Sequence, residues 1–220
     1  MAINQNIIEL DLKGRAQSVR RGRRLELLTI TYNSLEGLIA VAAGLVAGSV
    51  ALVGFGFDSV IEVTSGVALL WRLRHDADAR RREQVESITL RVVGVSFLAL
   101  AAYVSYDASL ALWRREPPAE SVVGILLAMA SLIVMPLLSR AKREVARQIG
   151  SSAMRADAKQ TELCAYLSAI LLGGLLLNAL FGWWWADPIA ALVMVPIIAR
   201  EGVKAVRGEA CACDGGACHT

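Results

Sequence analysis

Six long apolar runs, set among blocks of arginine and lysine, leave this chain few ways to fold. A run of about twenty mostly apolar residues is long enough to cross a bilayer as a helix. Such runs are read over residues 26–47, 49–71, 87–113, 121–139, 160–182 and 184–200. The composition agrees: the 220 residues are 55% hydrophobic, above the roughly 45–50% usual for soluble domains. The chain therefore reads as an all-α polytopic membrane protein with six transmembrane helices. No short apolar segment followed by a small-residue cleavage site heads it, so its first residues are not read as a cleaved signal. Three parts follow: a basic cytoplasmic segment over 1–25, a six-helix membrane domain over 26–207, and a cytoplasmic Cys/His-containing tail over 208–220.

The basic residues orient the spans. Lys13, Arg15, Arg20, Arg21, Arg23 and Arg24 precede the first run, and Arg72, Arg74, Arg80, Arg81 and Arg82 follow the second. Arg140, Lys142, Arg143, Arg147, Arg155 and Lys159 lie between the fourth and fifth, and Arg200, Lys204 and Arg207 follow the sixth. The opposite side holds only Arg114 and Arg115, and Arg91 lies near the inner end of the third run. Twenty of the 23 basic residues thus fall on one side, which by the positive-inside rule is the cytoplasm and takes both termini with it. The same rule accounts for the basic N-terminus without a nucleic-acid partner. Packing signals accompany the runs. Ala40, Gly44 and Gly48 recur every four residues, as in close helix–helix contacts. Gly54 and Gly56 precede Asp58, where another helix or an ion path can approach the backbone. Pro136 and Pro196 are expected to bend or end their helices. Trp183, Trp184 and Trp185 suit a membrane interface.

Ionisable groups in hydrocarbon are costly, about 2.5–3.5 kcal/mol for Asp on an insertion scale. Asp58 and Glu62 stand four residues apart, on one face of the second run. Two like charges so close must share a proton or a cation, or be bonded to neighbouring helices. A divalent metal relieves the repulsion directly. Asn33 and Glu36 share a face of the first run. Counted from the turn at Gly48–Ser49 at about 1.5 Å per residue, Glu36 levels with Asp58 and Asn33 with Glu62. They either extend the acidic site or pack the first two helices together. In the fifth run Gln160 and Cys164 share a face, with Asp157 one turn earlier. Amide oxygen and thiolate are both metal ligands; the plainer role for Cys164 is a small buried hydrophobe. Asp107 and Asp187 read as interfacial or mouth residues. The tail gathers Cys211, Cys213, Cys218 and His219 within nine residues, a soft-ligand cluster for metal or a tail with incidental cysteines. On the cytoplasmic side thiols stay reduced.

The stretch Gly48-Ser49-Val50-Ala51-Leu52 through Asp58-Ser59-Val60-Ile61-Glu62 resembles the second helix of the cation diffusion facilitator family of divalent-metal transporters, GS-x-(A/S)-(L/I) followed by D-S-x-x-D. Arg155-Ala156-Asp157 is similar to the entry into that family's fifth helix, and Ala186-Asp187-Pro188-Ile189-Ala190 to the start of its sixth. The resemblance covers roughly residues 26–207. It implies that Asp58 and Glu62 are metal ligands, and that Gln160 and Cys164 stand where the family often has His and Asp. Both are departures that keep the spacing and change the chemistry. It further implies export of cytoplasmic metal in exchange for protons, as a homodimer in the cell membrane. The family's usual cytoplasmic domain is expected to be missing, with the Cys tail in its place.

The expected function is therefore a divalent transition-metal exporter using Asp58, Glu62, Gln160 and Cys164, with Asn33, Glu36 and Asp157 as a possible further metal or proton site. The soft thiol favours Zn2+, Co2+, Fe2+ or Cd2+ over Mg2+ and Ca2+. The ion is substrate, and no cofactor is expected. The alternatives are a membrane metal sensor or partner subunit working through the tail, and a proton-coupled exporter of organic cations through Glu36. No nucleophile–base arrangement points to an enzyme: the two histidines, His75 and His219, lie outside the runs.

Overall fold

The computed structural model describes residues 2–47, 50–115 and 122–208. Among them the chain forms six helices and no strands: α1 (Ala2–Ala47), α2 (Val50–Arg74), α3 (Ala79–Arg114), α4 (Val122–Ile149), α5 (Ser152–Phe181) and α6 (Ala186–Val206). Each of the six expected runs has one helix as its counterpart, with some run ends lying a residue or two outside it. By length and apolarity alone, two segments of the described residues qualify as membrane spans, Arg81–Arg114 and Val122–Ile149. The expected turn at Gly48–Ser49 lies outside the described residues, as does the tail from 209 onward.

The helices run well past the apolar runs. α1 takes in the basic segment, and α4 continues ten residues beyond position 139. Charge decides whether a segment suits lipid, not whether it is helical, and Lys, Arg, Glu, Gln and Leu are all strong helix formers. Pro136 and Pro196 lie inside continuous helices, so neither ends its helix. What ends α4 is Gly150 at φ +64°. Its left-handed backbone lets Ser151 N–H reach back to Ala146 O at 3.1 Å, a glycine-terminated close. Ser151 then caps α5 by accepting the Met154 N–H at 3.1 Å, in the manner of an N-cap serine. This two-residue connection fixes α5 antiparallel to α4.

α1, α2, α5 and α4 make a closed ring, each packed on the next, and α3 and α6 pair with each other against α2 and α5. Two close approaches set the spacing. A Cβ at Gly56 would stand 3.0 Å from Gly37 O and 2.5 Å from Val41 Cγ2, so α1 and α2 meet at Gly37 and Gly56. That contact is one turn before the expected one at Ala40, although Ala40 is itself fully buried. α3 and α6 meet at Gly94 and Gly202 in the same way.

The ring has a polar interior and an apolar exterior. α1 buries Glu26, Thr29, Asn33 and Glu36 while Leu27, Leu28, Leu35, Leu38 and Ile39 are exposed. Water-soluble bundles do the reverse, burying the apolar stripe. An apolar core does exist, formed by residues such as Leu69, Leu73, Val93, Phe97, Leu100, Met154 and Leu163. It lies where α3 covers α2 and α5, leaving the α1–α2–α4–α5 ring to hold the ionisable groups.

Candidate metal centre

α2 presents Asp58 and Glu62 one turn apart, and α5 presents Gln160 and Cys164 with the same spacing. Because the two helices touch, the pairs face one another. Glu62, Gln160 and Cys164 are buried, and the Cys164 thiol lies beside both Asp58 and Glu62. Three of the expected site residues, Asp58, Glu62 and Cys164, are therefore brought together, and Gln160 is buried one turn before Cys164. Asp58 is half-buried and opens onto a cavity of about 110 Å³ that reaches Phe55, Tyr103, Asp107 and Pro188. Asp107, expected at a mouth, thus lines the same space as Asp58.

The hydrogen bonding of this set is incomplete. Asp58 Oδ1 and both polar atoms of Gln160 are buried without a partner. Leaving such a group unmade costs about 1–3 kcal/mol, and two of them, Asp58 Oδ1 and the Gln160 amide oxygen, are groups that a bound cation would satisfy. Among the described residues no three His, Cys, Asp or Glu side chains are drawn tightly enough to hold an ion by themselves. An ion entering here would find the Asp58 and Glu62 carboxyls, the Cys164 sulfur and the Gln160 amide oxygen as its candidate donors.

The neighbouring polar residues divide. Glu36 Oε1 accepts from Ser131 at 2.7 Å and Tyr32 at 3.2 Å, and Oε2 accepts from Ser59 at 3.3 Å. The depth match between Glu36 and the Asp58 turn is real, since Ser59 follows Asp58. Asn33 is buried with both amide atoms unpartnered. Asp157 lies elsewhere than in an open ligand position: its carboxylate is held by Lys142 at 2.6 Å and Ser65 at 2.8 Å. Glu162, on another face of α5, pairs with Lys159 at 3.2 Å. The tail ligands Cys211, Cys213, Cys218 and His219 and the side chain of Asp187 lie outside the described residues.

Sequence reasoning missed a buried ionic cluster beside the site. Lys142, assigned to a basic cytoplasmic loop, is fully buried and lies 3.2 Å from Glu26 and 2.6 Å from Asp157. Its signal was present in the helical spacing of Ser131, Met135, Ser139, Lys142, Val145 and Ile149, all buried on one face of α4. A second cluster ties the cytoplasmic ends together. Arg72, also counted as a loop cation, is buried between Asp76 at 2.7 Å and Glu86. Arg15 donates to both oxygens of Asp76 at 2.9 Å, and Glu86 receives Ser151 at 2.8 Å and the Ala153 N–H at 2.7 Å. Burial raises the Asp76 carboxyl, but the Arg15 hydrogen bond and the charges of Arg72 and Arg15 outweigh it and hold the group below its ordinary value.

Comparison with known proteins fits this arrangement. The family model described as the cation efflux transmembrane domain matches residues 27–209. An uncharacterized transporter of Methanocaldococcus jannaschii is 25% identical over 180 residues, covering 79% of this chain and 63% of that protein. The cation-efflux pump FieF of Klebsiella pneumoniae is 26% identical over 165 residues, 70% of this chain and 53% of the pump. FieF of Citrobacter koseri is 26% identical over 179 residues, 77% of this chain and 58% of the pump. The chain spans about half to two thirds of the length of these relatives. A helical bundle with a polar interior and an apolar exterior suits a cation transporter of the membrane. The chain belongs to the cation diffusion facilitator family, a family of transporters and not of enzymes, for which metal ions are substrates and not cofactors.

Proposed function

We propose that this protein exports a divalent transition-metal ion, Zn2+ or one of similar softness, from the cytoplasm across the cell membrane in exchange for protons. Asp58, Glu62, Gln160 and Cys164 bind the ion, α2 and α5 spanning the bilayer as two of six transmembrane helices with both termini cytoplasmic. The working unit is a homodimer. The observation that carries the reading is the set of unpartnered buried atoms on Asp58 and Gln160 beside the buried Cys164 thiol. A carboxyl and a thiol must lose their protons to bind metal, so loading releases protons and protonation releases metal. The thiol selects borderline and soft ions over Mg2+ and Ca2+. The test is uptake of Zn2+ and Cd2+ into vesicles carrying the purified protein under an imposed pH gradient. Uptake driven by the gradient and lost in both Asp58→Ala and Glu62→Ala is expected; either variant transporting at the wild-type rate refutes the site.

A further inference from the structure

We infer that Thr161 and Lys142 are positioning residues for Glu62, holding one of its carboxyl oxygens from behind so that the other is presented to the transported cation. The inference rests on reading Glu62 as a ligand. Thr161 Oγ1 lies 2.7 Å from Glu62 Oε1, with both residues buried. Lys142 Nζ lies 3.3 Å from the same hydroxyl. An ammonium only donates and a hydroxyl has a single hydrogen. With Lys142 donating to the Thr161 oxygen, the hydroxyl hydrogen is left for an acceptor. Of the two acceptors within reach, Glu62 Oε1 at 2.7 Å is closer than Asp157 O at 3.3 Å. The chain of bonds therefore runs one way, from Lys142 through Thr161 to Glu62.

Lys142 is itself held from two helices, and a third braces its partner Asp157. Asp157 of α5 stands 2.6 Å away. Glu26 of α1 stands 3.2 Å away, in a direction unsuited to a hydrogen bond. Ser65 of α2 donates to Asp157 at 2.8 Å from a position one turn beyond Glu62. The cluster thereby locks the Glu62 turn of α2 to α5. Lys142 has no lone pair for a metal and repels one, so its place is behind the ligand. Nothing in the family resemblance drawn from residues 48–62, 155–157 and 186–190 includes Lys142 or Thr161.

The test measures Zn2+ transport by the full chain in vesicles, resolved into KM and kcat. Thr161→Val keeps the volume and deletes the bond. It is expected to raise KM for Zn2+ about tenfold, the scale of one charge-assisted hydrogen bond, with kcat within about twofold, and Thr161→Ser restores KM. The triple variant Glu26→Gln, Lys142→Met, Asp157→Asn neutralises the cluster without stranding a buried charge, and is expected to raise KM in the same direction. Wild-type KM in Thr161→Val or in the triple variant, or a Thr161→Ser protein as impaired as Thr161→Val, overturns the positioning role. Absence of Zn2+ transport by the wild-type protein overturns instead the reading on which it rests.

Discussion

Ser131 of α4 donates a hydrogen bond to Glu36 of α1 at 2.7 Å, joining two helices across the polar interior of the bundle. With Tyr32 and Ser59 also donating, the Glu36 carboxylate has three hydroxyl partners from three helices. A carboxylate so engaged fastens α1 to α2 and α4 and has little left to offer an ion. Glu36→Gln is expected to lower stability by about 1 kcal/mol, since one acceptor oxygen is replaced by a donor. Its Zn2+ affinity by calorimetry is expected to stay within about threefold of wild type, a shift well under the 1.4 kcal/mol of a tenfold change. A loss of affinity equal to that of Asp58→Asn would instead put Glu36 in the ion site.

Gln160 gives a prediction in which stability and binding move in opposite directions. Both its polar atoms are buried without partners, so Gln160→Leu removes an unsatisfied group of similar size. The variant is expected to gain about 1 kcal/mol of stability and to lose Zn2+ affinity. Denaturation in detergent alongside calorimetric titration reads both. A destabilised variant with unchanged affinity would show Gln160 to be a packing residue.

Much of this site was legible because the helical period was intact where the chemistry lies. Asp58 with Glu62 and Gln160 with Cys164 each show the four-residue spacing of one face, and the structure sets the two faces against each other. Lys142 and Arg72 were not legible, because both stand at the ends of apolar runs, where a basic residue ordinarily orients the chain in the membrane. Only the continuation of α4 to Ile149 and of α1 back to Ala2 makes their neighbourhoods interior. Glu26 was hidden in the same way: it heads an apolar run, yet it shares the buried face of Thr29, Asn33 and Glu36. The Cys/His tail was plain in the sequence and lies outside the described residues.

The cytoplasmic cluster predicts a pH dependence of stability. Asp76 is held below its ordinary value of 3.8 against the push of burial, by Arg15 and Arg72. A carboxyl depressed in the folded state contributes stability that is full above its unfolded value and is lost as pH falls through its folded value. Wild-type stability is therefore expected to drop on acidification below about pH 4, in part through this group. Asp76→Asn is expected to cost about 1–2 kcal/mol at pH 7, after allowance for the partly exposed Arg15, and to flatten that acid limb. Chemical denaturation across pH checks both, and an unchanged acid limb in Asp76→Asn would contradict the assignment.

The most direct measurement of the central claim is the ultraviolet charge-transfer absorption of Cd2+ bound to thiolate. It is made on the full chain with Cys211, Cys213 and Cys218 changed to serine, so that Cys164 is the sole remaining thiol. Cadmium is expected to produce the band at one equivalent per chain, and Cys164→Ser is expected to abolish it. Asp58→Asn and Glu62→Gln are each expected to shift its titration to about a hundredfold higher Cd2+, roughly 2.7 kcal/mol. No band in the parent protein, or one that titrates identically in Asp58→Asn and Glu62→Gln, would contradict a cation held between α2 and α5.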